Sequence, residues 1–428
     1  MNYIAKPHYI TMIVLIFCVA CGVPATESIS AGDPLAYAIR YEIALRPDMH
    51  SADVSMHVRQ SSTLLREVRF ENESRLSNFS VDGKAVSFTD EIIWNPSESG
   101  GTLQWSVQIN HQRGNGGFDA FLGDEWGIFR AEDVIPRAAT RTLRGAFSKT
   151  TLQVDAPRDW ATVTAYPSEN ERFLVDKPQR RFDQPDGWIA TGRLGVRRET
   201  IAGIHVAVAG PMGHSLRRMD ILALLNWTLP ELARVLPEPP ERLTIISAAD
   251  PMWRGGLSAP NSLYVHADRP LISENATSTL LHEVVHSTLR LTATEGYDWI
   301  VEGIAEFYSL ELLRRSGTIS EPRFATALAD QRSWSKSADK LCRHSSKAAT
   351  TALAVITISA LDAEIRERSA GKASLDDLAR ALKKRENAID LKFLQEVAAK
   401  LGGAKSDVLD TDKLPGCRNI EPDSQENS

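Results

Sequence analysis

The spacing of apolar residues changes once along the chain, near residue 210. Before that point, short segments alternate apolar and polar residues or are continuously apolar, as in YAIRYEIAL (37–45) and IHVAVAG (204–210). Asp82-Gly83 lies between two such segments and is typical of a tight hairpin turn. Because no helical period persists over 35–210, this region predicts an all-β sandwich or barrel.

After residue 210 the apolar residues recur with helical spacing. SLRRMDILALLNWTLPELARVL (215–236) has the pattern of an amphipathic helix, and the Pro-rich segment PEPPE ends it. RLTIISA (242–248) and GGLSAPNSLYVHA (255–267) predict strands, and Ser374 with Asp377 resembles a capping box. Further helices are predicted at 277–291, 298–316, 322–333, 347–369, 374–385 and 390–401.

These patterns predict an α+β fold with two domains. An all-β domain at 35–210 precedes a mainly helical domain at 211–405, and a polar tail at 406–428 follows. With 43% hydrophobic and 24% charged residues, the 428-residue chain can bury a sizeable core. Its net charge of −6 and the lack of a Gly-rich phosphate loop argue against nucleic-acid and nucleotide binding.

The N-terminus has the composition of a secretory signal. A basic residue, Lys6, precedes the apolar run from Ile10 to Cys21, which is too short to cross a bilayer as a mature helix. Its end, VACG, resembles the lipobox of bacterial lipoproteins, although Cys18 stands where that motif usually has Leu. We expect a signal at 1–21, lipidation of Cys21 and a location in the bacterial cell envelope. The alternative is ordinary cleavage nearby, for example after Ala25.

Two cysteines remain after the signal, Cys342 and Cys417. An even pair in an oxidising compartment favours one disulfide, which would tie the tail to the body of the domain. The alternative is two unrelated buried thiols.

The segment TLLHEVVHSTLRL (279–291) places His282, Glu283 and His286 in a predicted helix. Positions i and i+4 share one helix face, so both imidazoles can bind a single metal ion. Glu283 is rotated by roughly 100° from His282, where it can take a proton from water activated by the metal. This is the HExxH arrangement of zinc hydrolases, which still requires a third protein ligand.

The next predicted helix carries Glu302 and Glu306, one turn apart, within WIVEGIAEFY (299–308). This segment resembles gluzincin zinc metallopeptidases of the aminopeptidase N type. The resemblance implies that Glu302 is the third zinc ligand, one Zn²⁺ being bound per chain. The connection from His286 is shorter than is usual in this family, which leaves Glu306 as the alternative ligand.

The resemblance extends to both sides of the zinc motif. GGLSA (255–259) matches the edge strand that pairs with a bound peptide in these enzymes, which implies substrate contacts at Gly255, Gly256 and Ser258. Ser258 stands where many members have a Glu that binds the free amino group of the substrate. Residues 345–382 are similar to the glycyl-aminopeptidase branch, which implies a thermolysin-like catalytic domain behind an all-β domain.

Besides Ser258, this sequence differs from the family at the tyrosine that stabilises the oxyanion of the reaction intermediate. No tyrosine follows Tyr308, and the matching position lies beside His344-Ser345-Ser346. His344 or Arg343 is the candidate replacement donor, since losing one such donor typically costs about 10²–10³ in rate.

The sequence therefore predicts a zinc metallopeptidase of the cell envelope that acts on peptides or proteins, with Glu283 as general base. The replacement at Ser258 favours an endopeptidase or an atypical aminopeptidase. The main alternative is a lipid-anchored binding or scaffolding protein that retains zinc with little turnover. A third possibility is a purely structural helix pair without metal.

Overall fold

The computed structural model describes residues 33–176, 182–236, 238–385 and 387–418. The chain divides into two units, Met1–Pro34 and Leu35–Ser428, and all the elements below belong to the second. The predicted signal at 1–21, with Cys21, lies outside the described residues.

Strands dominate the first half and helices the second. The strands are β1 (Ala36–Arg46), β2 (Ser51–Arg59), β3 (Leu65–Glu71), β4 (Leu76–Val81), β5 (Lys84–Ala85), β6 (Glu91–Trp94), β7 (Gly100–Gln108), β8 (His111–Gln112), β9 (Phe118–Leu122), β10 (Trp126–Arg130), β11 (Ala139–Thr142), β12 (Phe147–Asp155), β13 (Ala161–Val163), β14 (Ser168–Glu169), β15 (Arg172–Val175), β16 (Trp188–Gly192), β17 (Leu194–Ile201), β18 (Ile204–Pro211), β19 (Arg242–Ala248), β20 (Gly256–Ala259) and β21 (Ser262–His266). The helices are α1 (Ala131–Val134), α2 (Arg218–Val235), α3 (Thr279–Leu289), α4 (Asp298–Arg315), α5 (Glu321–Ser335), α6 (Ala349–Arg368), α7 (Leu375–Lys383) and α8 (Leu391–Gly402).

The front half is built on an eight-stranded sheet in the order β14-β15-β12-β1-β2-β7-β4-β5. Side chains of β1 alternate between buried and half-buried positions, as expected for a strand with one face on the core. A three-stranded sheet, β11-β3-β6, contributes Leu65, Val68 and Trp94 to the same core. A five-stranded sheet, β13-β16-β10-β9-β8, completes this half. The predicted α+β fold, with a β front half and a helical second half, is confirmed; the short helix α1 was not predicted.

A second five-stranded sheet, in the order β17-β18-β19-β21-β20, connects the two halves. β18 pairs in parallel with β19, so this sheet crosses the boundary predicted at residue 210. A division of the chain before β17 keeps the pairing of β18 with β19 intact, whereas a division at residue 210 would interrupt it. We propose that the second domain begins at β17. β20 lies at the edge of this sheet.

The helices pack on this sheet around one core that contains Leu281, Val284, Trp299 and Ile304. α4 is buried along most of its length because α3 and α6 cover two of its sides. Gly303 makes the crossing with α6 possible, since a Cβ there would lie 2.9 Å from the Cβ of Ala354. None of the described helices is long and apolar enough to cross a membrane.

The tail returns to the helical domain. Leu409 and Leu414 are buried, and Cys417 forms a disulfide with Cys342, their Cα atoms 5.0 Å apart. The described part of the predicted polar tail is therefore packed against the domain.

Candidate metal and peptide-binding site

Helix α3 carries the HExxH residues, and its ends are well defined. Ser278 is the N-cap, and its side chain accepts a hydrogen bond from the backbone N–H of Leu281 at 3.2 Å. Arg290, in the left-handed conformation, ends the helix. Because Leu281 and Val285 are buried in the core, the helix is fixed in rotation, and the next residues, His282 and His286, lie one turn apart on one face with their Nε2 atoms 3.0 Å apart.

His282, His286 and Glu302 converge at one point. The two Nε2 atoms lie 3.0 Å apart, and the carboxylate oxygens of Glu302 lie 3.4 Å from His282 Nε2 and 3.2 Å from His286 Nε2. The three side chains are mostly buried, each at most 26% exposed. Among the described residues, this is the cluster whose ligand atoms are close enough to share a metal ion.

The separations fit a single zinc ion. Two ligands at about 2.0–2.1 Å from a tetrahedral zinc lie roughly 3.3 Å from one another. The three observed separations of 3.0, 3.2 and 3.4 Å are close to that value. Two imidazoles and a carboxylate are also a ligand set found at catalytic zinc sites, where a fourth position stays open.

Glu306 lies on the other side of the same imidazole. Its Oε2 is 2.9 Å from Nδ1 of His282, so the ring can donate to it through Nδ1 and keep Nε2 free for metal. Glu302, rather than Glu306, therefore faces the point where the two Nε2 atoms meet. Glu302 and Glu306 receive different roles because they lie one turn apart on α4.

Glu283 is buried beside this cluster, with 8% of its surface exposed. Burial raises the pKa of its carboxyl group, and this effect outweighs the opposing effect of the two imidazoles and of the Ser258 hydroxyl. A raised pKa makes this carboxylate a stronger base than an exposed glutamate, which suits a group that takes up a proton and releases it again.

The edge strand β20 lies directly against Glu283. A Cβ on Gly256 would lie 2.7 Å from Cγ of Glu283 and 2.7 Å from Cγ2 of Thr279, so only glycine permits this approach. The Gly255 carbonyl accepts a hydrogen bond from the backbone N–H of His266 at 2.9 Å.

That bond determines which backbone groups of β20 are available. In the antiparallel register with β21, Gly256 is opposite Val265 and Leu257 is opposite Tyr264. Since hydrogen-bonded pairs alternate, the N–H and C=O groups of Gly256 and Ser258 point away from β21, toward the edge. Within the described chain no strand pairs with that edge. An extended peptide can therefore add to it as a further strand.

A contact from the front half also fixes β20. Trp188 Nε1, on β16, donates a hydrogen bond to the carbonyl of Leu257 at 3.0 Å. No local sequence pattern identifies Trp188 for this role, since its partner is 69 residues away.

His344 lies on the loop before α6 and is exposed, with 71% of its side chain accessible. Its Nδ1 lies 3.8 Å from a carboxylate oxygen of Glu295. Among the described residues it forms no ion pair with Glu302. The same loop is held on α4 by a hydrogen bond of 2.7 Å from the Ser346 N–H to Asp298. Arg343 donates to Asp339. The structure thus brings together the predicted zinc ligands, Glu283 and β20, but describes no contact between His344 and them.

No family model and no curated protein matches the sequence of this chain. Its structure is similar to solved structures. An aminopeptidase N family protein from Idiomarina loihiensis matches with a TM-score of 0.62 and 18% identity, over 88% of this chain and 74% of that one. A variant of an M1 zinc metallopeptidase from Deinococcus radiodurans, bound to a Tyr-Ser-Ala substrate, matches with a TM-score of 0.56 and 15% identity, over 90% and 94%. Yeast LTA4 hydrolase in complex with bestatin matches with a TM-score of 0.57 and 13% identity, over 93% and 72%. The chain therefore has the fold of the M1 zinc metallopeptidases.

Proposed function

We propose that this protein is a zinc-dependent metallopeptidase. The observation that carries the proposal is the convergence of His282, His286 and Glu302, with Glu283 and the open edge of β20 beside them. The likeness in fold to M1 zinc metallopeptidases supports it.

His282, His286 and Glu302 would hold the zinc, and Glu306 would orient His282. Zinc in such a site supplies Lewis acidity, which polarises a carbonyl group and makes water more acidic. The backbone groups of Gly256 would bind the peptide as an added strand and place a peptide bond beside Glu283.

Glu283 then performs the proton transfers. Its carboxylate takes a proton from the attacking water and passes it to the leaving amine. Since burial raises the pKa of this carboxyl group, it holds the proton between the two steps more readily than an exposed glutamate would.

The substrate class follows from β20. Ser258 offers a hydroxyl where the aminopeptidases that this chain resembles have a carboxylate for the substrate's amino group. Without that charge a free N-terminus is bound less selectively, so we propose cleavage within peptides or an atypical aminopeptidase activity. The Tyr-Ser-Ala substrate bound to the Deinococcus protein supports a peptide as substrate.

We also propose that the protein is exported and anchored in the cell envelope through a lipid on Cys21. The apolar run that ends at VACG supports this location. The disulfide between Cys342 and Cys417 suits an oxidising compartment. Fractionation of cells that express the full chain or Cys21→Ala tests the anchor: a lipidated protein moves from the membrane fraction to the soluble one, and an unchanged distribution contradicts it.

A second candidate function is a binding or scaffolding role with zinc and little turnover. The exposure of His344 favours it, because His344 then does not supply the donor that the family resemblance leads one to expect from a tyrosine. The buried Glu283, in place beside the zinc cluster, favours the enzyme.

The test begins with the zinc content of the soluble chain starting at Gly22, measured by elemental mass spectrometry. We expect about one zinc per chain, and hydrolysis of a diverse peptide library that a chelator abolishes. Glu283→Gln should keep the zinc and lose at least about 100-fold in rate, the usual contribution of a general base. Glu274→Gln, at an exposed position, is the control.

The outcomes separate the candidates. Zinc without turnover on any peptide indicates the scaffolding role. Hydrolysis that Glu283→Gln leaves unchanged contradicts the mechanism, and a chain that takes up no zinc contradicts both functions.

A further inference from the structure

Two basic side chains, His111 and Arg113, lie on the β8–β9 hairpin and share one carboxylate. Oδ1 of Asp119 lies 2.5 Å from His111 Nδ1, and Oδ2 accepts a hydrogen bond from Arg113 Nε at 3.1 Å. The side chain of Asp119 is 10% exposed, whereas those of His111 and Arg113 are 66% and 33% exposed. A buried anion thus holds two partly exposed donors in fixed positions.

The hairpin is attached to the loop that precedes β20. The backbone N–H of Phe118 donates to the Pro251 carbonyl at 3.0 Å, and the N–H of Trp253 donates to the Phe118 carbonyl at 2.7 Å. A Cβ on Gly117 would lie 2.8 Å from Cα of Trp253, so the hairpin tip lies directly on this residue. The guanidinium carbon of Arg113 is 4.0 Å from the centre of the Trp253 ring.

Trp253 connects this arrangement to the zinc site. A Cβ on Gly255 would lie 2.2 Å from the indole ring, and the next residue, Gly256, lies against Glu283. Arg113, stacked on Trp253, therefore lies close to the start of β20, where a peptide bound along that strand would pass within a few residues of the bond beside Glu283.

The terminal nitrogens of Arg113 are available to such a peptide. In the described ranges of the chain, no residue accepts a hydrogen bond from them, because only Nε is bound, to Asp119. The neighbouring Arg254 is engaged with Asp250 and Asp268 instead. A guanidinium with two free parallel N–H donors matches a carboxylate.

We propose that Arg113, held in place by Asp119, forms a subsite that binds a carboxylate of the substrate peptide within a few residues of the cleaved bond. The proposal rests on the peptidase function proposed above. The carboxylate belongs either to an Asp or Glu side chain or to the C-terminus of the peptide, and both have the same chemistry.

The test uses pairs of octapeptides with both ends blocked, whose two members differ only in having Asp or Asn at one position. That position is moved in turn through the three residues on each side of the cleaved bond. A second pair ends in a free carboxylate or an amide. We expect kcat/KM to favour the acidic member about 10- to 100-fold at one position, as a charge-assisted hydrogen bond would. Arg113→Gln should remove this preference, and Arg141→Gln, at an exposed position on β11, should keep it.

A preference in the Asp/Asn set identifies a side-chain carboxylate, and a preference only in the acid/amide pair identifies the C-terminus. Equal rates within every pair, or a preference that Arg113→Gln retains, would overturn the subsite while the peptidase stands. If no peptide is cleaved, the peptidase proposal fails, and the same peptides are tested for binding to the zinc-loaded protein by fluorescence anisotropy. The same preference in Kd, lost in Arg113→Gln, would then support the subsite, and its absence would overturn it.

Discussion

Glu302 and Glu306 are one turn apart on α4, and the structure gives them different partners. The oxygens of Glu302 face the two Nε2 atoms, whereas Glu306 holds His282 through Nδ1 at 2.9 Å. A carboxylate in this outer position fixes the orientation of the ring and increases its basicity.

We therefore expect Glu306→Ala to weaken zinc binding about 10- to 100-fold without removing it, as is usual for the loss of such a partner. Glu302→Ala should have a larger effect, because it removes a ligand. Competition with a fluorescent zinc chelator measures both, with the exposed Glu274→Ala as control. Equal effects of the two substitutions would contradict the assignment of Glu302 as the ligand.

Gly256 is the residue of the edge strand β20 that lies against Glu283, the proposed general base. Gly256→Ala would introduce a Cβ 2.7 Å from the Glu283 side chain, so either β20 or the carboxylate must move. A displacement of about 1 Å in an active site can cost about 100-fold in rate. We expect a loss of that order in kcat/KM, with the zinc content unchanged.

Gly114→Ala is the matched control for this substitution. No atom lies within 4 Å of the position that its Cβ would occupy, so activity should be unaffected. Wild-type activity in Gly256→Ala would show that peptides do not bind against this part of β20.

At the scale of elements, ion pairs join the end of α4 to α7. Glu311 accepts hydrogen bonds from Arg314 and Arg315, and Arg315 also donates to Asp376 of α7. Burial alone would raise the pKa of Glu311, but the hydrogen bonds from the two arginines lower it. The carboxylate, whose side chain is 7% exposed, is thus held ionised in the folded protein.

The pH dependence of stability follows from this shift. A carboxyl group whose pKa is lower in the folded than in the unfolded state stabilises the fold above the unfolded value, about 4.3 for Glu, and loses that effect as the pH falls. We expect Glu311→Gln to reduce the free energy of unfolding by about 1–3 kcal/mol at pH 7, the usual range for hydrogen bonds to a charged group. The difference from wild type should shrink below about pH 4.3.

Urea denaturation at several pH values between 7 and 3 measures this difference. Glu91→Gln, at a half-exposed ion pair with Arg69, is the control and should change stability by less than about 0.5 kcal/mol. A difference for Glu311→Gln that is independent of pH would show that lost packing, not charge, causes it.

Element boundaries agree with the sequence where local signals mark them. The predicted helices at 298–316 and 347–369 correspond to α4 and α6, and none of their ends is shifted by more than two residues. The capping box of Ser374 and Asp377 is present at the start of α7. These features depend on residues within one or two turns of one another, which is why a single sequence reveals them.

At the scale of the whole molecule, the Cys342–Cys417 disulfide closes a loop across 75 residues. In the chain-entropy description, closing a loop of that length raises the free energy of the unfolded state by about 4.5 kcal/mol. We expect the double variant Cys342→Ser, Cys417→Ser to lower the free energy of unfolding by about 2–4 kcal/mol, measured by chemical denaturation.

A reductant should destabilise the wild-type chain from Gly22 onward and leave the double variant unaffected. Thiol titration of the denatured, unreduced wild type should find no free thiol. Two free thiols would indicate the alternative, a pair of separate buried cysteines.

The sequence by itself determined the fold class, the change from strands to helices along the chain, and the HExxH pair on α3, because periodicity, caps and i, i+4 spacing are local properties. Only the tertiary structure decided how β17 and β18 join the sheet of the second half, since strand pairing is set by contacts between distant segments. It also placed Glu302, and not Glu306, toward the two imidazole Nε2 atoms. Both occupy the same face of α4, and only the position of α3 against that face shows which carboxylate meets the two Nε2 atoms. The contact of Arg113 with Trp253 likewise joins segments 140 residues apart (253 − 113), and no local pattern predicts it.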